Sequence, residues 1–231
     1  MSLLPNTIPD QPPRNLTQAD LGAQTRERLL EAAERLFGQR GYAATSVRDV
    51  TAAAACNVAA VNYHYGGKRN LYIEMFHRRL AAIREQRVGS IREAMHRAVG
   101  PRALETVLRA FAGAFLEPLV AKAEGRRLIE LMARETVDAQ LPPEMFAEEF
   151  VEPVHRVLIE AITATTPGIS AHDAALCVLS IVGQLVHVAH VTRSAANAGG
   201  HRFTAPPMAE AVDHIVKFSA AGVRGCRVEP S

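Results

Sequence analysis

Along residues 25–98 apolar side chains recur at helical spacing, and capping or terminating residues mark the breaks between runs. Leu29, Ala33, Leu36 and Phe37 form one stripe, predicting a helix from a cap at Thr25 to about Arg40, with Gly41 as terminator. Val47, Val50 and Ala54 give the buried side of a short second helix, capped by Thr45 or Ser46. After a three-residue turn, Asn57 suits the N-cap of a third helix from about Val58 to His64, and Gly66-Gly67 ends it. A long fourth helix then runs from Lys68 to about Ala98, with Leu71, Met75, Leu80 and Ile83 near its buried face. Beyond a junction at Gly100-Pro101, helices are expected near 102–122, 125–139, 143–165, 170–197 and 207–222, with breaks rich in Gly and Pro. No segment sustains period-two alternation and no repeat is present, so the fold expected is all-α, with about nine helices. Residues 1–24, rich in Pro, Asn and Gln, are expected to form a flexible N-terminal arm.

A chain of 231 residues with 48% hydrophobic and 22% charged content is ordinary for a soluble globular protein. Its three cysteines, Cys56, Cys177 and Cys226, are far apart in sequence and lack a CxxC pair, which predicts a reduced, cytoplasmic protein without a disulfide framework or thiolate zinc site. The N-terminus has no basic start followed by an apolar block, so no secretory signal is expected. The uncharged run from Ala174 to Thr192 approaches the length of a membrane span. It also holds Ser180, Gln184, His187 and His190, which are costly in hydrocarbon, so a buried or interfacial helix is expected and no membrane partner. Charge is unevenly distributed: residues 1–100 hold 14 Lys and Arg against 9 Asp and Glu, the remainder 12 against 15. A basic N-terminal half suits an anionic partner.

The segment Ser46–Lys68 narrows that partner. Two short helices separated by a tight turn form a helix-turn-helix, in which the first helix braces the second against the DNA major groove. Val47, Val50 and Val61, with Leu29 and Phe37, can supply the brace, and Cys56 tucks into the turn as a buried thiol. On the recognition helix Val58, Ala59, Ala60 and Asn62 can face outward; small apolar groups can touch thymine methyls, and Asn can pair with adenine. Arg48 has the reach for guanine or for a phosphate. Tyr63, His64 and Lys68 are expected phosphate contacts, as are Thr45 and Ser46 through their hydroxyls. Tyr65 is expected to point inward.

These residues resemble the N-terminal domain of the TetR family of bacterial transcriptional regulators. The resemblance rests on Phe37, Gly41, Tyr42 and Thr45, on the block Val47 to Val50, and on the signature Tyr65, Gly66, Lys68 and Leu71. The run from Asn57 to Gly66 with Lys68, and the Gly183-Gln184 pair, are similar to the CecR-like subgroup. Ala55 and Asn62 depart from the Gly and Tyr usual in the family, the first with consequences for the turn and the second exchanging a phenol for a base-capable amide. After the arm over 1–24, the resemblance implies a DNA-binding head over 25–71 and an effector-binding and dimerisation domain over 72–231. It further implies a homodimer through the helices near 170–197 and 207–222, a partly palindromic double-stranded operator, and a small-molecule effector whose binding releases a repressor.

No nucleotide loop, catalytic triad order or catalytic carboxylate pair is visible beyond residue 100, and no cofactor or metal is expected. Phe111, Phe115, Arg134, His155, Gln184 and His187 are the candidates to line an effector site, being aromatic or polar positions within apolar helices. Ala174, Ala175, Ser180 and Gly183 would let partner helices approach, with Leu176, Leu179, Val182 and Val186 supplying area. Two alternatives stay open: an effector-independent DNA binder, and a helical enzyme using His155, His187 or His190.

Overall fold

The computed structural model describes residues 17–120, Leu131, Glu135, 139–197 and 206–227, and among these every regular element is helical. The elements are α1 (Gln18–Arg40), α2 (Val47–Ala53), α3 (Ala59–Tyr65), α4 (Lys68–Arg97) and α5 (Ala103–Val120), with a 3-10 turn at Gly100–Arg102 before α5. After them come α6, built as Pro143–Phe146, a π turn Ala147–Val151 and Glu152–Thr165, then α7 (Ala171–Asn197) and α8 (Met208–Gly225). The helix expected over 125–139 lies largely outside the described residues; Leu131 and Glu135 have helical backbone.

α1 begins seven residues before the expected cap. Thr17 accepts from the Asp20 amide and Asp20 returns a bond to the Thr17 amide at 2.9 Å, so this reciprocal pair starts the helix. Thr25 lies inside α1, its hydroxyl donating to the Leu21 carbonyl at 2.9 Å. The helical segment from Gln18 therefore replaces the last residues of the expected arm. The same device starts α2, where Ser46, rather than Thr45, pairs with Asp49.

Two buried clusters share α4. The first holds Leu29, Ala33, Phe37, Val50, Val61, Tyr65, Leu71, Met75 and Phe76 and extends to Met145 and Phe150 of α6. Within it Tyr72 meets Phe37, Tyr42 and Phe76 at ring separations of 5.0 Å each. The second begins at Ile91 and Ala94 of α4 and takes in the inner faces of α5, α6, α7 and α8. One 30-residue helix thus runs from the small N-terminal head into the core of the larger body.

The interruption of α6 has a chemical cause. Pro153 has no N–H to offer the Glu149 carbonyl and its ring crowds the preceding turn. The backbone widens into the π turn, and Arg84 Nη1 of α4 donates to that carbonyl at 2.8 Å.

Ala171–Thr192 of α7 is long and apolar enough to cross a membrane by length and composition alone, with mean hydropathy 1.9. In the fold Ala174, Val178, Ile181 and Leu185 are buried in the bundle core. Ala174, expected at a dimer surface, is therefore committed to the protein's own interior; at 0% exposure it has no outward face. Leu176, Leu179 and Val186 do face outward, at 49%, 59% and 51% exposure. Folding also brings together two of the distant cysteines: the Sγ atoms of Cys177 and Cys226 lie 4.0 Å apart, where α7 passes the end of α8.

Candidate nucleic-acid interface

The helix-turn-helix is assembled by short-range bonds. Val50 and Val61, both fully buried, hold α2 and α3 against α1 and α4. Between them the chain turns over Ala54–Val58, longer than the three residues expected, because Asn57 and Val58 precede the first helical residue. Ala55 takes φ 51°, the left-handed conformation usually left to glycine. Cys56 is half-buried with its thiol on the Ala54 carbonyl at 3.1 Å, the tucked position expected of it. Asn57 Oδ1 accepts from the Ala59 amide at 2.9 Å and so opens α3.

At its far end α3 stops at Gly66, φ 72°, whose amide donates to the Asn62 carbonyl at 2.9 Å. Gly67, at φ 133°, lets α4 start at once. Two consecutive glycines with positive φ make the corner so tight that Lys68 opens α4 directly beside the end of α3. Tyr65 points inward as expected, 8% exposed, its hydroxyl donating to the Arg26 carbonyl at 2.8 Å.

The opposite face of α3 is free. Asn62 and Tyr63 are exposed, Tyr63 at 85%, and Val58 and Ala59 continue that surface toward the N-terminal end. His64 is half-buried and packs edge-on to the Tyr63 ring at 4.9 Å. Arg48 of α2 and its cap Ser46 are exposed on the same head. Ala60 is half-buried and leans back on the head cluster.

Thr45 corrects the expectation. It is fully buried, and its hydroxyl donates to the Gly41 carbonyl at 2.8 Å and reaches the Leu36 carbonyl at 3.3 Å. A hydroxyl spent on two carbonyls in the interior cannot reach a phosphate. It ties the end of α1 to the start of α2 instead.

Lys68 lies with its ammonium 4.1 Å from the centre of the Tyr42 ring, and partial burial pulls its pKa down. No acidic residue occupies the first turn of α4, and Lys68 and Arg69 stand there instead. Cations at a helix N-terminus oppose its dipole, a local cost in stability. The result is a concentrated positive corner beside α3, suited to an anion.

The effector candidates are not gathered in one place. Phe111 and Phe115 are core residues, 0% and 7% exposed, with rings 5.7 Å apart. Gln184 sits on the seam between α7 and α8, its amide reaching Ser219 Oγ at 3.4 Å. His187 is exposed on α7, and half-buried His155 is on α6, where burial lowers its pKa. Arg134 lies outside the described residues. Among the described residues no group of three or more His, Cys, Asp or Glu could hold a metal ion. An open groove lined by Arg109, Met208, Asp213, His214 and Lys217 lies between α5 and α8 and contains none of the candidates.

Residues 29–75 match the family described as bacterial regulatory proteins, tetR family. Residues 104–223 match the C-terminal domain of the HTH-type transcriptional dual regulator CecR. The curated relative of that name from Shigella flexneri is 29% identical over 157 residues, covering 66% of this chain and 69% of that protein. Among solved structures, a Mesorhizobium loti protein described as a TetR-family transcriptional regulator superposes with TM-score 0.66 at 16% identity, covering 90% of this chain and 98% of its own. The fatty acid degradation regulator FadR from Bacillus halodurans does so with TM-score 0.62 at 16% identity, over 87% and 96%. At such identity the two superpositions speak for the fold.

Proposed function

The chain belongs to the TetR family of bacterial regulatory proteins, and from that premise we propose a homodimeric repressor that a small molecule releases from a partly palindromic operator. The family consists of transcriptional regulators, which sets aside the reading of His155, His187 and His190 as catalytic groups. The observation that carries the proposal is the two-sided character of α3: Val61 and Tyr65 are buried in the head while Asn62 and Tyr63 project from it. A helix with one side given to the core and the other to exposed polar and small groups is what major-groove reading requires.

In this reading Arg48, Asn62, Val58 and Ala59 meet base edges, while Ser46, Tyr63, His64 and Lys68 hold phosphates. Ala60 contributes only its outer edge. The head comprises residues 25–71 with the opening turns of α1, and 72–231 is the effector and dimerisation domain. The outward stripe of α7, with Ser180 and Gly183 between Leu176, Leu179 and Val186, is the dimer seam, and exposed Phe218 extends it onto α8. A two-fold pair sets two α3 helices on successive major grooves, hence the palindrome. Release requires an effector that binds the non-operator state more tightly than the operator state.

The test is a gel-shift and footprint on DNA upstream of its own gene, with variants measured across salt. Lys68→Ala should weaken binding to specific and random DNA alike and shallow the salt slope. Arg48→Ala and Asn62→Ala should relax preference at particular bases by roughly 1–3 kcal/mol each. Uniform loss in all three variants would overturn the division into readers and anchors, and absence of any preferred site would overturn the repressor.

A further inference from the structure

The body contains a buried charge that its packing does not balance. Arg87 of α4 is 6% exposed and lies between two phenyl rings, 4.0 Å from the centre of Phe115 and 5.0 Å from that of Phe150. Its Nη2 donates to the Phe115 carbonyl at 3.3 Å, and its Nε is buried with no partner. Among the described residues no carboxylate pairs with it. The chain does not lack acid: Arg26 pairs with Glu74, Arg78 with Glu27 and Arg224 with Glu105, all at or near the surface. Those three solvated arginines have counter-ions, and among the described residues this enclosed one has none.

A guanidinium does not escape this position by losing its proton. Burial lowers the pKa of Arg87 to about 10, which still leaves it charged at neutral pH. The ring faces offset part of the cost through cation–π attraction, but they cannot accept the N–H groups on the guanidinium edge. A buried cation with donors to spare favours an anionic partner. Its surroundings are also unusual in backbone: Phe150 belongs to the π turn, a conformation that recurs at functional sites. That turn is tied to α4 twice more, by Arg84 on the Glu149 carbonyl and by His77 on the Glu149 carboxylate.

We propose that Arg87 anchors the effector site, and that the effector is a small monocarboxylate with an apolar body. The carboxylate takes the open N–H edge of the guanidinium, and Phe115 and Phe150 flank the apolar part. A single guanidinium in an apolar setting balances one negative charge, and the two oxygens of a carboxylate match its planar fork. The site speaks to the head through one element, since Arg87 and Lys68 are 19 residues apart on α4, about 28 Å of continuous helix. This inference rests on the reading of the body as an effector domain.

The full chain tests it by thermal melting with benzoate and octanoate, each against its uncharged amide. Both acids should raise the melting temperature of the wild type, and neither amide should. Arg87→Met should melt at or above the wild-type temperature in plain buffer, because it removes an uncompensated charge, and should ignore the acids. Arg87→Lys keeps the charge but loses the fork, so its affinity for the acids should fall at least about tenfold. The inference is overturned by a wild type that ignores both acids, by amides that match them, or by acids that act equally on wild type and Arg87→Met. Should Arg87→Met fail to fold, an Arg87→Lys response equal to wild type overturns it too. Binding of upstream DNA separates this from the broader reading. Acids that bind through Arg87 yet leave DNA binding unchanged uphold the site and remove effector release. An uncharged compound that frees DNA equally from wild type and Arg87→Met upholds release and removes the site.

Discussion

Ala55 holds φ 51° in the middle of the helix-turn-helix turn, where its Cβ crowds the following carbonyl. The strain at this position is worth about 1–2 kcal/mol, offset in part by the smaller entropy of alanine in the unfolded chain. Ala55→Gly should therefore stabilise the head by up to about 1 kcal/mol, seen as a higher melting temperature with unchanged operator affinity. A lower melting temperature would mean that the methyl group contributes more through contact than it costs in backbone strain. The departure from Gly at this position was visible in the sequence, but its effect depends on a dihedral angle that only the folded turn shows. Thr45 teaches the converse. A threonine beside a helix start reads equally well as a cap, a phosphate contact or a brace, and what decides is which side of the chain faces the interior. The buried carbonyls of Leu36 and Gly41 claim its hydroxyl, and Ser46 next door becomes the cap.

At the scale of elements, α5 and α8 are clamped at one end by a two-pronged ion pair. Arg224 reaches both Glu105 oxygens at 2.7 Å and the Pro101 carbonyl at 3.1 Å. The hydrogen bonds from Arg224 hold the Glu105 carboxyl below its ordinary value of 4.5. A carboxyl depressed in the folded state adds stability that is complete above the unfolded value and lost as pH falls through the folded one. Glu105→Gln should cost about 1 kcal/mol at neutral pH, a modest figure because the pair is partly solvated. The difference between variant and wild type should shrink as the pH is lowered below about 4.5, measured by urea unfolding at several pH values. A cost independent of pH would assign the effect to packing instead. The π turn of α6 belongs at this scale as well. Pro153 announces a disturbance inside a helical pattern, yet the form it takes depends on Arg84 arriving from α4 to satisfy the Glu149 carbonyl. No local pattern contains that arrival.

For the whole molecule, the outward faces of α7 and α8 matter most. Leu176, Leu179, Val186 and Phe218 are exposed hydrophobics on the two helices proposed to pair across a two-fold axis. Leu179→Glu should leave the fold and melting cooperativity of the chain intact, since the side chain is 59% exposed. It should shift sedimentation toward the monomer and weaken binding to a two-half-site operator far more than to a single half-site. An unchanged sedimentation profile would place the dimer surface elsewhere. Much of this architecture was legible beforehand, because α4, α7 and α8 carry long stripes with Gly or Pro at their ends. Less legible was which face of a uniformly apolar helix turns inward. α7 is apolar nearly all round, so Ala174 reads as an interface residue by size and becomes a core residue by position.

The sequence by itself determined the helical pattern, the family, and the short head whose Tyr65, Gly66 and Lys68 bound the reading helix. These depend on contacts within a few residues: periodic apolar positions, caps, and glycines where the chain must turn. Only the tertiary structure decided that Thr45 is buried, that Cys177 and Cys226 meet, and that Arg87 is enclosed by two rings with no counter-ion among the described residues. Each of these depends on elements far apart in the chain arriving at one place, and side-chain burial is a property of that arrival rather than of the residue.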